Sequence, residues 1–380
     1  MAPLLPHDPA DALFPHGTTL AELGERAVVE RLVLPRLQSR NSLGDVIGDD
    51  CAVVEPPAPD EVLVCTIDPC PRPVVFDFRE PDHWYYGWLT AVINLSDLAA
   101  VGATPTGLLV STVMRGDMTV HAYDRFLQGL AEACRTWSCP VLGGNVKDGA
   151  EFSATAAATG RVRADRVLRR TGAAAGDVVC VIGDPGSFWA AVLRALYRLD
   201  VPGLTAADEA VLEAALTRPV ARVPEGMRLA ATGGVSCCTD ASDGLGAALD
   251  ELAKVNGLDV VVDAGALQPR PAARKVAAAL GVDPRALALT WGDWELVCGI
   301  APDRLSAVRA ALAPIPVHAV GAFGPSGGRL LLTQDGRSRP VADFGSRRFD
   351  ARSSFTHGLQ PYAELLVHGD LYDTGVAERQ

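Results

Sequence analysis

Apolar residues recur along this chain with two periods, and the two periods predict a mixture of helices and strands. The segments with apolar residues at helical spacing are 20–37, 83–101, 123–138, 187–198, 206–216, 244–255, 272–280 and 302–312. The shorter apolar runs typical of strands are 46–54, 61–67, 108–114, 140–142, 152–161, 178–182, 259–262, 296–300 and 318–321. Helices and strands are interspersed in both halves of the chain, so the pattern predicts an α+β protein.

The same pattern divides the chain into segments. Residues 161–170 are basic and lack a clear period, and residues 171–177 are small turn-forming residues that precede the next strand-like run. A domain boundary is therefore expected near residue 165. The predicted segments are an N-terminal arm and helix (1–39), an N-terminal domain (40–165), a C-terminal α+β domain (166–335) and a tail (336–380) that packs back on the body.

Five of the apolar runs end in an acidic or amide loop. The loops are Gly48-Asp49-Asp50, Thr66-Ile67-Asp68, Asn94-Leu95-Ser96-Asp97, Gly143-Gly144-Asn145 and Asp240-Ala241-Ser242-Asp243-Gly244. Side chains at element ends can converge, and their hard oxygen ligands favour Mg²⁺ and, through it, nucleotide phosphates. Any one such Asp can equally be a helix cap or an Asx turn. Asn94 to Asp97 interrupt an otherwise apolar helix, where polar groups need partners.

Composition narrows the possible functions. The chain has 380 residues, of which 48% are hydrophobic, and a net charge of −12. This negative charge disfavours a surface that binds double-stranded nucleic acid, because such a surface needs clustered Lys and Arg. The nine cysteines include no CxxC pair, a pattern typical of reduced thiols rather than of a zinc site. No signal peptide or membrane-length apolar run is apparent. We expect a cytoplasmic protein with neither nucleic-acid nor membrane partners.

The common phosphate-binding loops are missing from the sequence. It contains neither GxxxxGK[ST] nor a GxGxxG that follows a strand. Gly183 to Ser187 open a predicted helix and could hold an anion on free backbone N–H groups, although an ordinary strand-to-helix turn explains them equally well. The acidic loops therefore carry most of the functional signal.

A longer set of motifs runs in order along the chain. The motifs are 48–53, Asp68, Gly87-Trp88, 94–105, 143–145, 170–172 with Gly176-Asp177, Arg218-Pro219, 240–245 and 292–296. This order, at these spacings, resembles the thiamine-monophosphate kinase family, which belongs to the aminoimidazole ribonucleotide synthetase (PurM-like) superfamily. The resemblance covers roughly residues 40–335.

The resemblance implies a two-domain fold of the α/β sandwich type and a homodimer whose N-terminal sheets join in a barrel. It also implies that domain 40–165 binds ATP and Mg²⁺. The implied metal ligands are Asp49, Asp68, Asp97 and Asp243. The implied nucleotide-site residues are Asp50, Asn94, Ser96, Gly143, Gly144 and Asn145. The implied catalytic residues are Asp243 and Arg170. Lys147, next to the Gly143-Gly144-Asn145 motif, is a further catalytic candidate that could contact phosphate, and the alternative is a plain exposed loop lysine. The implied contacts to a small-molecule acceptor are Phe76, Trp291, Asp293 and Trp294.

The chain also departs from the family pattern. Asn145 stands where the family has Asp, Val75-Phe76 stands where His-Phe is expected, and Leu89 stands where Lys or Arg follows Gly-Trp. The family's Gly-Gly-Glu-Asp-Tyr-Glu-Leu motif reads Thr-Trp-Gly-Asp-Trp-Glu-Leu at residues 290–296. Several of these positions are expected on the acceptor side. The sequence therefore predicts an ATP- and Mg²⁺-dependent phosphotransferase with a changed acceptor.

Two alternatives remain open at this point. The first is an ATP-dependent ligase or cyclase that activates an amide or carbonyl oxygen, as aminoimidazole ribonucleotide synthetase does, and the amide at Asn145 favours it. The second is a non-catalytic nucleotide-binding dimer. The products of the reaction with ATP would distinguish the three functions. A stable phosphorylated product indicates the phosphotransferase, and a dehydrated product with free phosphate indicates the ligase or cyclase. Nucleotide binding without ADP formation indicates the non-catalytic dimer.

Overall fold

A computed structural model describes residues 14–15, 17–37, 57–345 and 357–372. The chain forms two compact units: unit 1 is Met1–Leu98 with Ala103–Asp165, and unit 2 is Ala99–Gly102 with Arg166–Gln380. The predicted strand 46–54, with Asp49 and Asp50, lies outside the described residues. The predicted mixture of helices and strands is confirmed in both units.

Unit 1 begins with a helical segment that packs on a longer helix. The segment comprises α1 (Leu20–Leu23), α2 (Glu25–Val28), a π-helical turn (Val29–Val33) and α3 (Leu34–Arg36). Thr19 and Glu22 form a capping box that starts α1. The guanidinium of Arg36 is buried against the carboxylate of Asp124, with Nε 2.5 Å from Oδ1. This ion pair joins α3 to α5 (Val120–Thr136).

A four-stranded sheet forms the rest of unit 1 together with α4 (His83–Ala100) and a short 3₁₀ helix (Val74–Asp77). The strands are β1 (Glu61–Cys70), β2 (Thr104–Met114), β3 (Val141–Asp148) and β4 (Ser153–Arg163). Their order is β1-β4-β2-β3, so β1 and β3 are the edge strands among the residues that the structure describes. Of these pairs, β2 and β3 run parallel, and the other two are antiparallel. Among the described residues, neither sheet of the molecule closes into a barrel.

The two faces of this sheet differ. Alternate residues such as Leu108, Val110 and Ala156 are buried on one face. The opposite face carries a row of apolar residues that remain accessible, in which Ile67 pairs with Ala157 and Ala157 pairs with Leu109. Ile67 is 66% exposed and Leu109 is 40% exposed. We call this the open face of the unit 1 sheet.

Two of the predicted loops are wrong, because both lie inside strands. Residues 66–68 belong to β1, and residues 143–145 belong to β3, whose predicted extent of 140–142 was too short. The two adjacent glycines interrupt the apolar pattern and therefore suggest a loop. The close approach of β2 explains the second glycine, because a Cβ on Gly144 would lie 1.8 Å from the carbonyl oxygen of Val110.

Unit 2 contains a seven-stranded sheet of order β11-β10-β7-β9-β5-β8-β6. Its strands are β5 (Val178–Ile182), β6 (Val235–Asp240), β7 (Leu258–Asp263), β8 (Leu296–Ile300), β9 (His318–Ser326), β10 (Leu330–Gln334) and β11 (Arg337–Pro340). Its helices are α6 (Ser187–Leu196), α7 (Ala206–Thr217), α8 (Val223–Thr232), α9 (Leu245–Asn256), α10 (Pro271–Leu280), α11 (Pro284–Ala288), α12 (Leu305–Leu312) and α13 (Gln360–His368). The sequence pattern did not indicate α8, β6, α11, β10, β11 or α13.

Part of the predicted tail is a folded portion of unit 2. Strand β11 pairs with β10, and α13 buries Tyr362 against Trp189, with ring centroids 4.4 Å apart. The Tyr362 hydroxyl also donates a hydrogen bond to the carbonyl oxygen of Phe344. None of the helices in the described ranges is long and apolar enough to cross a membrane.

Candidate active site

Polar residues of α4 bind β1 along the edge that pairs with no other strand in the described part of the chain. The backbone N–H of Asp68 donates to Oδ1 of Asn94 at 3.2 Å. The Thr66 hydroxyl donates to Oδ2 of Asp97 at 2.5 Å. The Tyr86 hydroxyl donates to the carbonyl oxygen of Cys70 at 3.0 Å. We call these three hydrogen bonds the β1–α4 ladder.

The ladder explains why polar side chains interrupt an apolar helix. An edge strand leaves one row of backbone groups without a strand partner, and buried groups of this kind need hydrogen bonds. Asn94 is completely buried, and its Nδ2 donates to the carbonyl oxygen of Thr90 at 3.0 Å, so both ends of its amide are used. Ser96 is also buried. The ladder therefore brings the predicted residues Asp68, Asn94 and Asp97 together.

The predicted residues of β3 lie at the other edge of the same sheet. Asn145 pairs with Ser111 and Lys147 pairs with Val113, and both Asn145 and Lys147 are exposed. Two strands, β4 and β2, separate β3 from β1, a distance of roughly 14 Å at ordinary strand spacing. Within unit 1, Gly143, Gly144, Asn145 and Lys147 are therefore not brought next to Asp68.

Phe76 lies in the 3₁₀ helix that follows β1, among aromatic and charged neighbours. Its ring centroid lies 5.8 Å from that of His83, and the guanidinium of Arg72 lies 5.5 Å from the ring centroid. Burial lowers the pKa of His83, which also makes an edge contact with Phe152 at 5.3 Å. His83 was not among the residues predicted from the sequence, although the aromatic start of α4 was a usable signal.

The predicted residues of unit 2 occupy two places. Asp243 is exposed in the turn between β6 and α9, where the N–H of Gly244 donates to the carbonyl oxygen of Ala241. Arg170 is exposed, and its carbonyl oxygen accepts a hydrogen bond from Nδ2 of Asn256 at 2.9 Å. The other predicted residues of unit 2, Trp291, Asp293 and Trp294, lie before β8.

The carboxylate of Asp293 binds the N-terminus of α6. Its Oδ2 accepts the N–H of Gly186 at 2.8 Å, and its Oδ1 accepts the N–H of Phe188 at 3.0 Å. Of the two interpretations of residues 183–187, an anion site or an ordinary strand-to-helix turn, the structure shows a turn whose N–H groups bind the side chain of Asp293. Burial raises the pKa of Asp293 to about 7, and burial beside Asp293 raises the pKa of Glu295. The sequence analysis did not identify this buried pair of acids.

Trp291 belongs to an aromatic cluster inside unit 2. Its ring makes an edge contact with Trp189 at a centroid distance of 5.3 Å and lies 5.9 Å from Tyr362. Only 6% of Trp291 is exposed, whereas Trp294 is half-buried. Gly292 fits beneath Phe188, because a Cβ at this position would lie 2.2 Å from the Phe188 ring. The altered residues Trp291 and Gly292 therefore serve the packing of unit 2.

Residues 48–162 match the family described as AIR synthase related protein, N-terminal domain, and residues 174–328 match its C-terminal domain. The thiamine-monophosphate kinase of Halobacterium salinarum is 34% identical over 229 residues, which cover 60% of this chain and 72% of that protein. The chain belongs to the AIR synthase related family, as a thiamine-monophosphate kinase-like member. This confirms the family and the two-domain fold that the motifs implied.

Solved structures of related proteins support the same assignment. Thiamine-monophosphate kinase from Stenotrophomonas maltophilia K279a has 29% sequence identity and a TM-score of 0.66, and the match covers 77% of this chain and 90% of that chain. A structure described as AaThiL complexed with AMPPCP and TMP shares the fold at 24% identity, with a TM-score of 0.65 over 77% of this chain and 89% of that one. The relatives confirm the prediction of an ATP-dependent kinase.

The donor chemistry of this kinase-like chain fits Mg²⁺ in part. The carboxylates of Asp68 and Asp97 lie on facing elements, and oxygen ligands are those that Mg²⁺ prefers. Asp49 lies outside the described residues, and Asp243 belongs to unit 2. In the ranges that the structure describes, no group of three or more His, Cys, Asp or Glu side chains could hold a metal ion. The described residues therefore supply only part of a metal-ligand set.

Proposed function

We propose that this chain transfers the γ-phosphate of ATP to the phosphate group of thiamine monophosphate with the help of Mg²⁺. The β1–α4 ladder is the observation that carries this proposal. It holds the carboxylate of Asp97 through the Thr66 hydroxyl and the backbone of Asp68 through Asn94, in a part-buried region where α4 faces β1. Phosphoryl transfer depends mainly on positioning and on neutralising the phosphate charge, and this arrangement serves both needs.

We assign Asp68 and Asp97 of unit 1 as ligands of the metal. The prediction of Asp49 and Asp243 as metal ligands stays a prediction from the sequence. When bound, Mg²⁺ would neutralise the charge that develops on the phosphates. Asn94 has a supporting part, because its amide is buried and engaged at both ends. It holds the strand that carries Asp68 at a fixed distance from the helix that carries Asp97. Arg170 and Lys147 stay candidates for phosphate contacts.

The choice of acceptor follows from the relatives and from two buried positions. A changed acceptor was predicted from residues that differ from the family, among them Val75 and Trp291. Both are buried, at 1% and 6% exposure, and Trp291 packs among the aromatic rings of unit 2. These two differences are accounted for by packing, so they give no reason to replace thiamine monophosphate as the acceptor. Phe76, half-buried beside Arg72 and His83, stays a candidate acceptor contact.

We also propose that the chain is a homodimer joined through the open face of the unit 1 sheet, as the family resemblance implies. Leu63, Ile67 and Leu109 expose 48%, 66% and 40% of their surface there. A contiguous exposed apolar face of this kind is typical of a protein–protein contact. The edges of β1 and β3 lie on either side of the face, and a barrel formed with a second sheet would pair them.

The proposed activity belongs in the cytoplasm, where ATP is available and an exposed thiol such as Cys65 stays reduced.

Purified protein should be incubated with ATP, Mg²⁺ and thiamine monophosphate, and the products separated by mass. We expect ADP and thiamine diphosphate in equal amounts. Free phosphate with a dehydrated product of another substrate would support the amide-activating alternative instead. ATP binding without ADP formation from any acceptor would support the non-catalytic alternative.

A further inference from the structure

The C-terminal helix α13 packs on the aromatic cluster of unit 2. It lies outside the two family matches, the second of which ends at residue 328. Tyr362 of α13 is 1% exposed, and its ring centroid lies 4.4 Å from that of Trp189 and 5.9 Å from that of Trp291. Its hydroxyl donates a hydrogen bond to the carbonyl oxygen of Phe344. Tyr362 therefore joins the tail to Trp291 through its ring and to Phe344 through its hydroxyl.

Trp291 lies in segment 289–295, which packs against segment 240–246. The N–H of Leu245 donates to the carbonyl oxygen of Thr290 at 3.2 Å, and two further backbone hydrogen bonds of 2.9 Å join the same segments. We call the two segments the unit 2 frame. Because the frame is bonded along its length, a displacement of Trp291 would also displace the facing segment.

The unit 2 frame is mostly buried but carries accessible side chains. Asp243 is exposed and Trp294 is half-buried, so both side chains can meet a bound molecule. The tail also reaches the frame at Gly345, where a Cβ would lie 3.5 Å from the carbonyl oxygen of Asp243. Gly345 follows Phe344, whose carbonyl oxygen accepts the hydrogen bond from Tyr362. The hydroxyl of Tyr362 therefore supports the frame by a second route.

We propose that Tyr362 is a positioning residue that holds the unit 2 frame, and with it Asp243 and Trp294, in place for thiamine monophosphate. The proposal rests on the proposed function, because it takes this acceptor to bind beside the frame. Tyr362 is itself buried, so it acts through Trp291 and Phe344 and does not touch the acceptor. A tyrosine that only stabilises unit 2 would change the free energy of unfolding when it is replaced, but it would leave the acceptor affinity of the folded protein unchanged.

The test makes the same substitution at two tyrosines of the tail. Tyr362→Leu removes the ring and the hydroxyl that support the unit 2 frame. Tyr372→Leu is the matched control, because the Tyr372 hydroxyl donates to Gln334 at 2.9 Å and its ring lies under the guanidinium of Arg339. Each full-length variant should be titrated with thiamine monophosphate alone by isothermal titration calorimetry. The KM values for thiamine monophosphate and for ATP, together with urea unfolding, complete the measurements.

We expect Tyr362→Leu to weaken the binding of thiamine monophosphate about 10- to 100-fold, because misplacing a positioned group by about 1 Å can cost about 100-fold. Its KM for thiamine monophosphate should rise, whereas its KM for ATP, which we assign to unit 1, should stay near the wild-type value. Tyr372→Leu should lose stability and keep the wild-type affinity for thiamine monophosphate.

Wild-type affinity in the folded Tyr362→Leu protein, or an equal loss in Tyr372→Leu, would overturn the role of Tyr362 and leave the proposed function in place. If the wild type neither binds nor phosphorylates thiamine monophosphate, the proposed function is wrong, and the role of Tyr362 is overturned with it. If Tyr362→Leu fails to fold, Tyr362→Met replaces it and is judged by the same outcomes, because the longer, flexible methionine fills more of the space that the ring leaves.

Discussion

Oδ1 of Asn94 lies 3.2 Å from the backbone nitrogen of Asp68 and accepts its hydrogen bond. The two residues belong to different motifs, and this bond brings the motifs together. It also settles a structural problem, because an asparagine inside an apolar helix needs a partner and an edge strand needs an acceptor for its N–H. One amide therefore supports the fold of unit 1 and the place of a candidate metal ligand.

Replacing Asn94 with Leu should cost both stability and activity. The N–H of Asp68 would lose its acceptor inside the protein, and such a loss costs about 2 kcal/mol of unfolding free energy. Activity should fall further than this loss explains, because β1 would no longer be held against α4. Urea unfolding and ADP formation measure the two effects.

Asn256→Leu is the matched control for that variant. Asn256 also accepts backbone N–H groups through its amide, from Gly172 at 2.9 Å and from Ala173 at 3.0 Å, but it does so in unit 2. This control should lose stability and keep most of its turnover per folded molecule. If Asn94→Leu and Asn256→Leu have the same turnover per folded molecule, the hydrogen bond between Asn94 and the N–H of Asp68 has only a structural role.

Asp97→Asn should remove catalysis while leaving the fold intact. The substitution keeps the volume of the side chain and an oxygen for Thr66, but it removes a charge that we assign to Mg²⁺. We expect ATP turnover to fall at least about 100-fold, beyond the range for a residue that only supports a ligand. The Mg²⁺ dependence of ADP release and the melting temperature are the measurements. Asp77→Asn, an exposed acid of the same unit, is the control. Wild-type turnover in Asp97→Asn would end the metal assignment.

The buried acids of unit 2 should make stability depend on pH. Burial raises the pKa of Asp293 to about 7, with Arg222 opposing and Asp184 adding to the shift. The folded state therefore binds a proton that the unfolded state releases near its ordinary pKa of 3.8. The unfolding free energy should fall as the pH rises from about 4 to about 7, and Glu295, whose pKa is also raised, adds to this fall.

Asp293→Asn should flatten that dependence, and denaturant unfolding at several pH values would measure it. Ser187→Ala is the control, because it alters the same end of α6 without removing a titratable group. The unfolding free energy of Ser187→Ala should change with pH as steeply as that of the wild type. An Asp293→Asn protein with the full wild-type slope would mean that Asp293 titrates normally in the folded state.

Ile67→Asp should separate the proposed homodimer. A charge on the most exposed apolar residue of the open face would have to be buried in the dimer without a partner, which is unfavourable. Light scattering after gel filtration should give the mass of one chain for this variant and of two chains for the wild type. Val255→Asp, on a 38% exposed position of α9, should keep the wild-type mass. A wild type that runs as a monomer would remove the dimer proposal.

The sequence pattern predicts buried strands well and strands with adjacent glycines poorly. Strands β5 and β8 have the predicted bounds of 178–182 and 296–300, because each is a short apolar run that is buried on both faces, and the single Gly299 does not break the pattern of β8. Strand β3 was cut short at residue 142, since its two glycines lack the apolar side chains by which strands are recognised. The reason for Gly144 lies on β2, in the close approach of the Val110 backbone.

Only part of the predicted set of site residues lies together in the structure, and the contacts between them were not predicted. The motifs pointed to Asp68, Asn94 and Asp97, and the structure brings these three together. No local signal connects Asp293 to the start of α6, because the partners are 105 and 107 residues apart. Thr66 carried no signal of its own either, since its partner Asp97 lies 31 residues away on another element.

The most direct test is the product of a single reaction. Purified protein, ATP, Mg²⁺ and thiamine monophosphate should be combined, and the products should be identified by mass spectrometry. The proposed function predicts ADP together with a thiamine compound that carries one additional phosphoryl group, and the Asp97→Asn protein should form neither. ADP formation without a change in the mass of thiamine monophosphate, or with an equal yield from Asp97→Asn, would contradict it.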